Sequence, residues 1–544
     1  MEYDVIIAGA GSSGAVMATR LSEDRSRSVL LLDAGPDYAS LDALPSDINS
    51  IHEPSVVRHD WGFDATFVPG RDAPLPRGKL VGGSSAVNTG VAIRGAPGDY
   101  DVWAAMTGDD RWAWSECLPY FRGIEDDKDE RGDFHGQGGP IPVRRWTLDE
   151  MEPVQRGFYD ACVASGFEQT NDQNDPESTG ISPLAMNRDG PGRMTRWSAN
   201  LGFLSQARNR LNLTVRGHCL VDRVLFENGR AVGLAVECDG ELQEVRGKQI
   251  VLCAGAIMSP AILLRSGVGP AEELAHLGIP SVVDLPGVGK HLMDHPMTPM
   301  LFWPTPGTVD PDRPLAQTLL RYTSATGEFN DMQVYLLGHI LIGPEARFGA
   351  WVGEDEQAPE SDWVWGIAPG VQLPNSFGSV TLQSADYTEH PQIDLKFDEH
   401  EGDRVRLREG ARLAWNLAHS DELSSFHQGA IDIDQETVED DEKLDEWIHA
   451  TATSMAHPTC TCPMGPDPSE GAVVDSEGRV YGVENLRVVD GSIMPTLVRA
   501  NTNFTCMMMG ERVAEWMSAE CRSASSTNES KPQRSTPANH DSLD

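Results

Sequence analysis

Three groups of residues carry the types and spacing that chemistry needs. The first is Gly9-Ala10-Gly11-Ser12-Ser13-Gly14, followed downstream by Asp33. In such a turn Gly9 permits the tight bend, Gly11 lets a pyrophosphate come up to the backbone, and Gly14 lets a helix lie close on a strand. Amide N–H groups around Ser12 and Ser13 face the anion at the helix start. Asp33 stands where a carboxylate accepts hydrogen bonds from ribose hydroxyls. This is the chemistry of an adenine dinucleotide site, with NAD and FAD both compatible. The second group, residues 77–88, crowds Gly82, Gly83, Ser84 and Ser85 together ahead of Asn88. It offers amide and hydroxyl donors without bulk, as a backbone must where it approaches a flat or phosphorylated ligand. A second gripping segment serves FAD, whose isoalloxazine lies far from its adenine, better than NAD. The third group is His457 with Asn501-Thr502-Asn503. An imidazole titrating near neutrality can act as a base, and the triplet stands as an N-cap before the helical run 504–517.

These groups need a scaffold, and the hydrophobic pattern supplies one. Asp4-Val5-Ile6-Ile7-Ala8 and Val29-Leu30-Leu31-Leu32 read as buried strands with a helix between them. Residues 36–75 look irregular, an excursion of the kind that carries function in an α/β protein. Residues 99–122 read as helical, with Tyr100, Trp103, Trp112, Trp114, Tyr120 and Phe121 as core anchors, and the acidic stretch 125–133 reads as a loop. Strand-like alternation recurs at 211–215, 221–226, 231–238 and 249–253, with Asn228-Gly229 as a hairpin turn. It returns at 363–367, 379–382 and 392–395, which predicts an antiparallel sheet in a second domain. Residues 401–420 and 436–450 read as helices, and 522–544 as a disordered tail without apolar period.

At 544 residues the chain exceeds one ordinary core. Its net charge of −40, from 83 acidic against 43 basic residues, has the wrong sign for nucleic acid. The acids are spread along the whole chain and read as a solvated surface, suited to high salt where screening weakens self-repulsion. No apolar run approaches the ~20 residues that span a bilayer, and the acidic start reads against a signal peptide. Nine scattered cysteines do not make a disulfide framework, so a cytoplasmic setting is expected. Cys460 and Cys462 near His457 lack a fourth ligand at metal-like spacing, so no metal is expected.

Gly82-Gly83-Ser84-Ser85 with Asn88 and Arg94-Gly95 resembles the first signature of the glucose–methanol–choline (GMC) oxidoreductases. Gly255-Ala256-Ile257-Met258-Ser259-Pro260 is similar to their second. Pro286-Gly287-Val288-Gly289 with Asp294-His295-Pro296, then His457-Pro458 with Met464-Gly465, Leu486-Arg487-Val488-Val489-Asp490 and Asn501-Thr502-Asn503, follow in order. The resemblance implies an α/β fold: a discontinuous, Rossmann-like FAD-binding domain and a substrate domain of antiparallel sheet and helices. On this reading 1–150, 211–310 and 455–521 belong to the FAD domain, 151–210 and 311–454 to the substrate domain. Gly9, Gly11, Ser12, Ser13, Gly14 and Asp33 would hold the ADP half. Gly82, Gly83, Ser84 and Asn88 would lie along the pyrophosphate and ring, and Val221 would meet the adenine through its main chain. Asp490, Asn501 and Thr502 would close over the flavin. Val87 stands where some relatives attach FAD through a histidine, so a non-covalent cofactor is expected.

The implied reaction oxidises a small-molecule alcohol to an aldehyde or ketone. His457 would be the base and Asn503 would orient the substrate oxygen. Hydride would go to flavin N5, and the electrons onward to O2, a quinone or another carrier. The general likeness is to the choline-dehydrogenase-like branch. A choline-specific enzyme and a hydroxynitrile-type lyase, which keeps FAD without redox turnover, are the alternatives within the family. A NAD enzyme and a non-catalytic flavin module are the rivals outside it. Cys460 replaces a glycine of the family pattern, which predicts strain if that glycine used positive φ. Asp294-His295 reads as a structural turn, His449 is a further candidate, and Trp363 or Trp365 could line the cavity or pack the core.

Overall fold

Strand Glu2–Ala8 is buried on both faces from Val5 onward, the pattern of a strand covered on both sides. It pairs in parallel with Val29–Leu32 on one side and Glu241–Leu252 on the other. The computed structural model describes residues 2–342 and 362–529, apart from Glu53, Val56, 191–193 and Asp239. In it these strands form the middle of a seven-stranded sheet running Cys219–Glu227, Arg230–Cys238, Glu241–Leu252, Glu2–Ala8, Val29–Leu32, Leu213–Arg216. Leu486–Val488 adds in parallel beside Ile250–Leu252, the end of the long strand that its antiparallel neighbour leaves free. Sequence-distant segments thus meet at one set of carboxyl strand ends, where open α/β sheets bind ligands. Asn228 and Gly229 both take positive φ (53° and 78°), so the predicted hairpin turn is a type I′ turn.

The second sheet has eight strands, ordered His427–Ala430, Met300–Pro304, Trp363–Val371, Met332–Leu341, Thr318–Tyr322 and Gly180–Pro183, with Pro296–Met297 and Thr453–Ser454 attached. Its pairings are antiparallel. The fold is therefore the expected mixed α/β one, a parallel Rossmann-like sheet beside an antiparallel sheet.

Several local expectations are corrected. The helix read at 99–122 is two, Pro97–Thr107 and Trp114–Ile124, separated where Gly108 takes φ 65°. Tyr100, Trp103, Trp112 and Phe121 are buried as anchors, while Trp114 and Tyr120 are partly covered. The strands near 379 and 392 join the hairpin Asp64–Val68 and Arg71–Pro74, inside the stretch read as irregular, in a separate four-stranded sheet. The helix read at 436–450 breaks into Gln435–Glu439 and Asp441–Thr451. The helix from Asn503 continues to Glu529, past the start of the tail read as disordered, and 530–544 lie outside the described residues.

The acidic stretch 125–133 is not a plain loop. Glu125–Asp127 is a short strand, and Glu125 and Asp127 are fully buried. Arg94 pairs with Glu125, and Arg145 reaches both Asp127 (2.9 Å) and Asp172 (2.6 Å). His135 sits among all three acids, 3.0 Å from Asp127 and 2.8 Å from Asp172. Burial by itself would discharge His135, but the hydrogen bonds to Asp127, Asp172 and Glu125 prevail and raise it to about 11. Glu125, Asp127 and His135 are close enough to share an ion. With His135 protonated, three acids are balanced by three cations, while Glu125 Oε2 is left without a hydrogen-bond partner.

One cysteine pair also departs from expectation. Cys219 and Cys238 stand opposite each other across adjacent antiparallel strands, Cα atoms 4.5 Å apart, and are joined as a disulfide. Single-strand alternation does not reveal register, so the pairing was invisible in spacing. No helix among the described residues is long and apolar enough to cross a membrane.

Candidate active site

The turn after the first strand can be built only from glycine at two places. A Cβ on Gly9 (φ 99°) would lie 2.4 Å from the Cys253 carbonyl oxygen, and one on Gly14 would lie 1.9 Å from that of Gly9. Gly14 therefore packs the helix Ser12–Leu21 on the turn, as read from sequence, and is not itself on the cavity surface. Asp33 closes the turn: its Oδ2 accepts the Ala10 N–H and its Oδ1 the Gly35 N–H, each at 2.9 Å. Each oxygen keeps further acceptor capacity. Burial pushes this carboxyl up to about 6.

A cavity of about 1650 Å³, its open mouth included, starts here. Gly9, Gly11, Ser12, Ser13, Asp33 and Val221 line it, as do Gly83, Ser84, Asn88, Asp490 and Asn501-Thr502-Asn503, and it reaches His457. Of the residues expected to hold the cofactor or to act in catalysis, Gly14 and Gly82 are absent from its lining. Gly82 (φ 109°) shapes the turn that presents Gly83. Asp490 is buried and accepts from the Gly255 N–H (2.8 Å), the Ser259 hydroxyl (2.6 Å) and Ser492, which ties the last parallel strand to the helix Gly255–Arg265.

His457 has a partner that sequence reading set aside. Its Nδ1 lies 3.0 Å from Nδ1 of His295, and His295 Nε2 lies 3.0 Å from the Val498 carbonyl oxygen. A carbonyl only accepts, so His295 carries its proton on Nε2. Its Nδ1 is then an acceptor, and His457 must donate from Nδ1–H. That leaves His457 Nε2 as an acceptor. Burial is the main cause that keeps both imidazoles neutral, with His295 at about 3 and His457 well below the ordinary histidine value. His295 and Arg77 add to the effect on His457. Asp294 steadies the segment, its carboxylate accepting the backbone N–H groups of His295 (2.7 Å) and His457 (2.9 Å). His295 is thus more than a turn residue.

The asparagine facing Nε2 is Asn501, whose Nδ2 lies 3.0 Å away. Asn503, expected there, points elsewhere: its Oδ1 accepts the Ser12 hydroxyl at 2.7 Å, and its Nδ2 is buried on the cavity with no partner. The helix begins at Asn503, so a shift of two positions turns the side chain to the Ser12 side. Cys460 takes φ 66°, so the strained geometry expected at this glycine replacement is present. His449 pairs with Asp398 at 2.5 Å on the surface, away from the cavity. Trp365 stacks on Phe302 (4.7 Å) in the core and Trp363 packs on His339, so neither lines the cavity. Residues that sequence reading missed include Trp61, Phe63 and Met455 on the lining; Arg77, the first residue of the second glycine-rich group, donates from Nη1 to the Ala456 carbonyl at 2.5 Å.

These residues fit FAD. The cavity runs without break from the glycine turn and Asp33 to His457, and Gly11 presents an open face to it, a Cβ there meeting only Gly83 at 3.8 Å. The buried, unpartnered Asn503 amide at a helix start is a donor awaiting an acceptor.

Comparison with known proteins agrees. The chain is 37% identical over 540 residues to the oxygen-dependent choline dehydrogenase of Pectobacterium carotovorum subsp. carotovorum (strain PC1), covering 95% of this chain and 94% of that one. It is 35% identical over 548 residues to the protein of the same name from Escherichia coli O17:K52:H18, covering 95% of each. Pyridoxine 4-oxidase from Mesorbium loti superimposes with a TM-score of 0.85 at 30% identity, over 95% of this chain and 99% of that one. Formate oxidase from Aspergillus oryzae RIB40 has the same fold, with a TM-score of 0.85 at 23% identity over 96% of this chain and 99% of that one. Residues 3–297 and 374–510 match the GMC oxidoreductase family, and the chain belongs to it, as an FAD-dependent oxidoreductase acting on alcohols.

Proposed function

We propose that the protein oxidises an uncharged alcohol to the aldehyde or ketone, with His457 as the base and Asn501 as the donor that orients the substrate oxygen. The observation that carries this reading is the proton arrangement at His457. The Val498 carbonyl fixes His295, His295 fixes Nδ1 of His457, and the Nε2 lone pair is left where a hydroxyl can deliver its proton. FAD, held by the glycine turn and the 83–88 segment, supplies the hydride acceptor when bound. An entering substrate hydroxyl replaces the Asn501 amide as the partner of the single Nε2 lone pair, and Asn501 Nδ2–H can then hydrogen-bond the substrate oxygen.

Substrate charge follows from the lining. Among the described residues the cavity carries two carboxylates, Asp33 and Asp490, and both are already engaged by backbone amides. Beside His457 stand a cation, Arg77, and the Asp294 carboxylate, which is engaged by two backbone N–H groups and the Ser454 hydroxyl and does not line the cavity. Trp61 has the Lys79 ammonium over its ring at 4.7 Å, so that aromatic face is taken by a cation of the protein itself. Trp61, Phe63, Val87, Val91 and Met455 supply apolar surface, which suits an uncharged alcohol. The second reading, choline, is favoured by the names of the relatives.

An anaerobic panel decides. Uncharged alcohols and choline are added to the purified holoprotein while the flavin colour is followed, and then air is admitted. Bleaching by an uncharged alcohol but not choline supports the proposal. Bleaching by choline alone replaces the substrate. No bleaching by any member, with FAD bound, points to a lyase. Fast return of colour in air marks O2 as acceptor, and slow return marks a quinone or other carrier. His457→Ala should bind FAD normally and lose about 100-fold or more in the rate of bleaching.

A further inference from the structure

We propose that Tyr335 is the positioning residue of this site: its hydroxyl sets which end of the Asn501 amide faces His457. This rests on the base assignment above and adds a residue that does not touch the cavity. Tyr335 lies on the strand Met332–Leu341 of the antiparallel sheet, buried, with its hydroxyl 2.8 Å from Asn501 Oδ1. An asparagine amide has an oxygen end and a nitrogen end of nearly equal shape, so only its neighbours decide its direction. On one side of Asn501 stands a hydroxyl, on the other His457 Nε2 at 3.0 Å.

Only one direction leaves the whole chain of bonds neutral. With Oδ1 toward Tyr335, the phenol donates to Asn501, Asn501 donates to His457 Nε2, His457 Nδ1–H donates to His295, and His295 Nε2–H donates to Val498. Each donor then has an acceptor. With the amide reversed, Oδ1 would face Nε2 and demand a proton there. A neutral His457 would then have a bare Nδ1 opposite His295 Nδ1, which would also need a proton. The Val498 carbonyl still requires His295 Nε2–H. His295 would become a doubly protonated cation, fully buried, with the neighbouring Asp294 carboxylate already accepting from Ser454 and two backbone N–H groups. Desolvation weighs heavily against that state.

The antiparallel sheet holds the rest of this loop in the same manner. Arg321 and Gln333 both donate to the Arg499 carbonyl at 3.2 Å, and Gln333 Oε1 is a second, longer acceptor for the Tyr335 hydroxyl at 3.2 Å. The antiparallel sheet thus supplies a donor that holds the Asn501 amide in the direction the two histidines require. Tyr335 works through Asn501, not on the substrate.

Tyr335→Phe removes a single oxygen and keeps the ring. The rate of flavin bleaching by the best alcohol of the panel should fall about tenfold, the worth of one hydrogen bond, with little change in the alcohol concentration at half-saturation. In an Asn501→Ala background the same substitution should change the rate by less than about twofold, because the group it acts through is gone. An equal loss in both backgrounds overturns the proposal. If Asn501→Ala alone leaves the rate unchanged, the asparagine has no role and the underlying site assignment falls with it.

A second readout does not depend on turnover. In holoprotein carrying 13C-labelled histidine, the His457 signal, identified by its loss in His457→Ala, is titrated by NMR. The groups facing His457 (His295, Arg77, Asp294 and Asn501) are all retained in Tyr335→Phe. A freed amide can turn its oxygen to Nε2 and accept from Nε2–H, so the midpoint of His457 should move to higher pH. An unmoved midpoint overturns the proposal.

Discussion

Replacing Gly83 by alanine tests the cofactor cradle at its tightest point. Gly83 has φ 51°, and a Cβ there would lie 2.7 Å from the Cα of Gly11 in the turn at the other wall of the cavity. Two terms add. Holding an L-residue in the left-handed region costs about 1–2 kcal/mol. Opening a backbone-to-Cβ contact from 2.7 Å to an ordinary 3.4 Å or more forces one wall back by roughly 0.7 Å, an overpacking cost of about 1–3 kcal/mol. Gly70→Ala separates them, because Gly70 has φ 80° with nothing within 4 Å and so carries the strain alone. The excess at Gly83 falls on the two segments that receive the cofactor. Apoprotein titrated with FAD, followed by quenching of flavin fluorescence, should show Gly83→Ala binding about 5- to 150-fold more weakly than Gly70→Ala. Equal titration curves for Gly83→Ala, Gly70→Ala and the unaltered protein would refute the placement of FAD between these walls.

The two asparagines should separate by phenotype. Asn503→Ala removes the acceptor of the Ser12 hydroxyl and the unpartnered buried amide, so FAD should bind about tenfold more weakly with the bleaching rate of loaded protein nearly unchanged; Asn501→Ala should show the reverse. Acid sensitivity should trace to His295 and His457. Their folded values lie below the unfolded one, so the unfolded chain binds protons first and stability falls as pH drops through about 6.5. Asp33 and Asp294, raised by burial to about 6, bind protons first in the folded protein and oppose that fall below pH 6. His295→Gln keeps both hydrogen-bonding roles without titrating, so its melting temperature should decline less between pH 6.5 and 4 than that of the unaltered protein; an identical decline removes His295 from the account. His135→Ala should destabilise by about 3–5 kcal/mol, because it strands buried acids, while dialysis against a chelator should leave the melting temperature unchanged. A chelator-induced drop would make Glu125, Asp127 and His135 a metal site instead of a balanced ion network.

Much of the fold was legible because its signals are local. The run from Asp4 to Asp33 contains strand, turn, helix and strand in one continuous pattern, and Gly14 is forced by its contact with Gly9 inside that unit, although Gly9 itself is forced by Cys253 at the end of a distant strand. Asn228-Gly229 announces its own turn through two positive φ values. What misled was pairing between distant segments. The strands near 379 and 392 alternate like those of the large sheet, yet they add to the hairpin at 64–74, and alternation says nothing about which edge a strand joins. The stretch 125–133 looked solvated because acids are normally exposed. His135 follows the stretch directly, but Arg94 and Arg145, which help to neutralise it, lie about 30 residues before and about 12 after it, and acidity alone does not show that they fold onto it.

The site shows the same division at finer grain. His457 and the glycines and serines on the cavity wall are each placed by their own segment, within the motifs that singled them out. The choice between Asn501 and Asn503 depends on where a helix starts, and boundaries are the least certain part of any sequence reading. Two residues at a helix start rotate a side chain from one wall of a cavity to another; here one asparagine meets Ser12 and the other His457. The proton on His457 was further out of reach. It is decided by a carbonyl at 498 and an imidazole at 295 and supported by a phenol at 335, which takes its place only when the antiparallel sheet has laid residues 332–341 against 498–501. A base recognised by its motif is therefore only half specified. Its lone pair belongs to the tertiary structure, and neighbours that never touch the substrate decide whether the imidazole presents an acceptor or a donor to it.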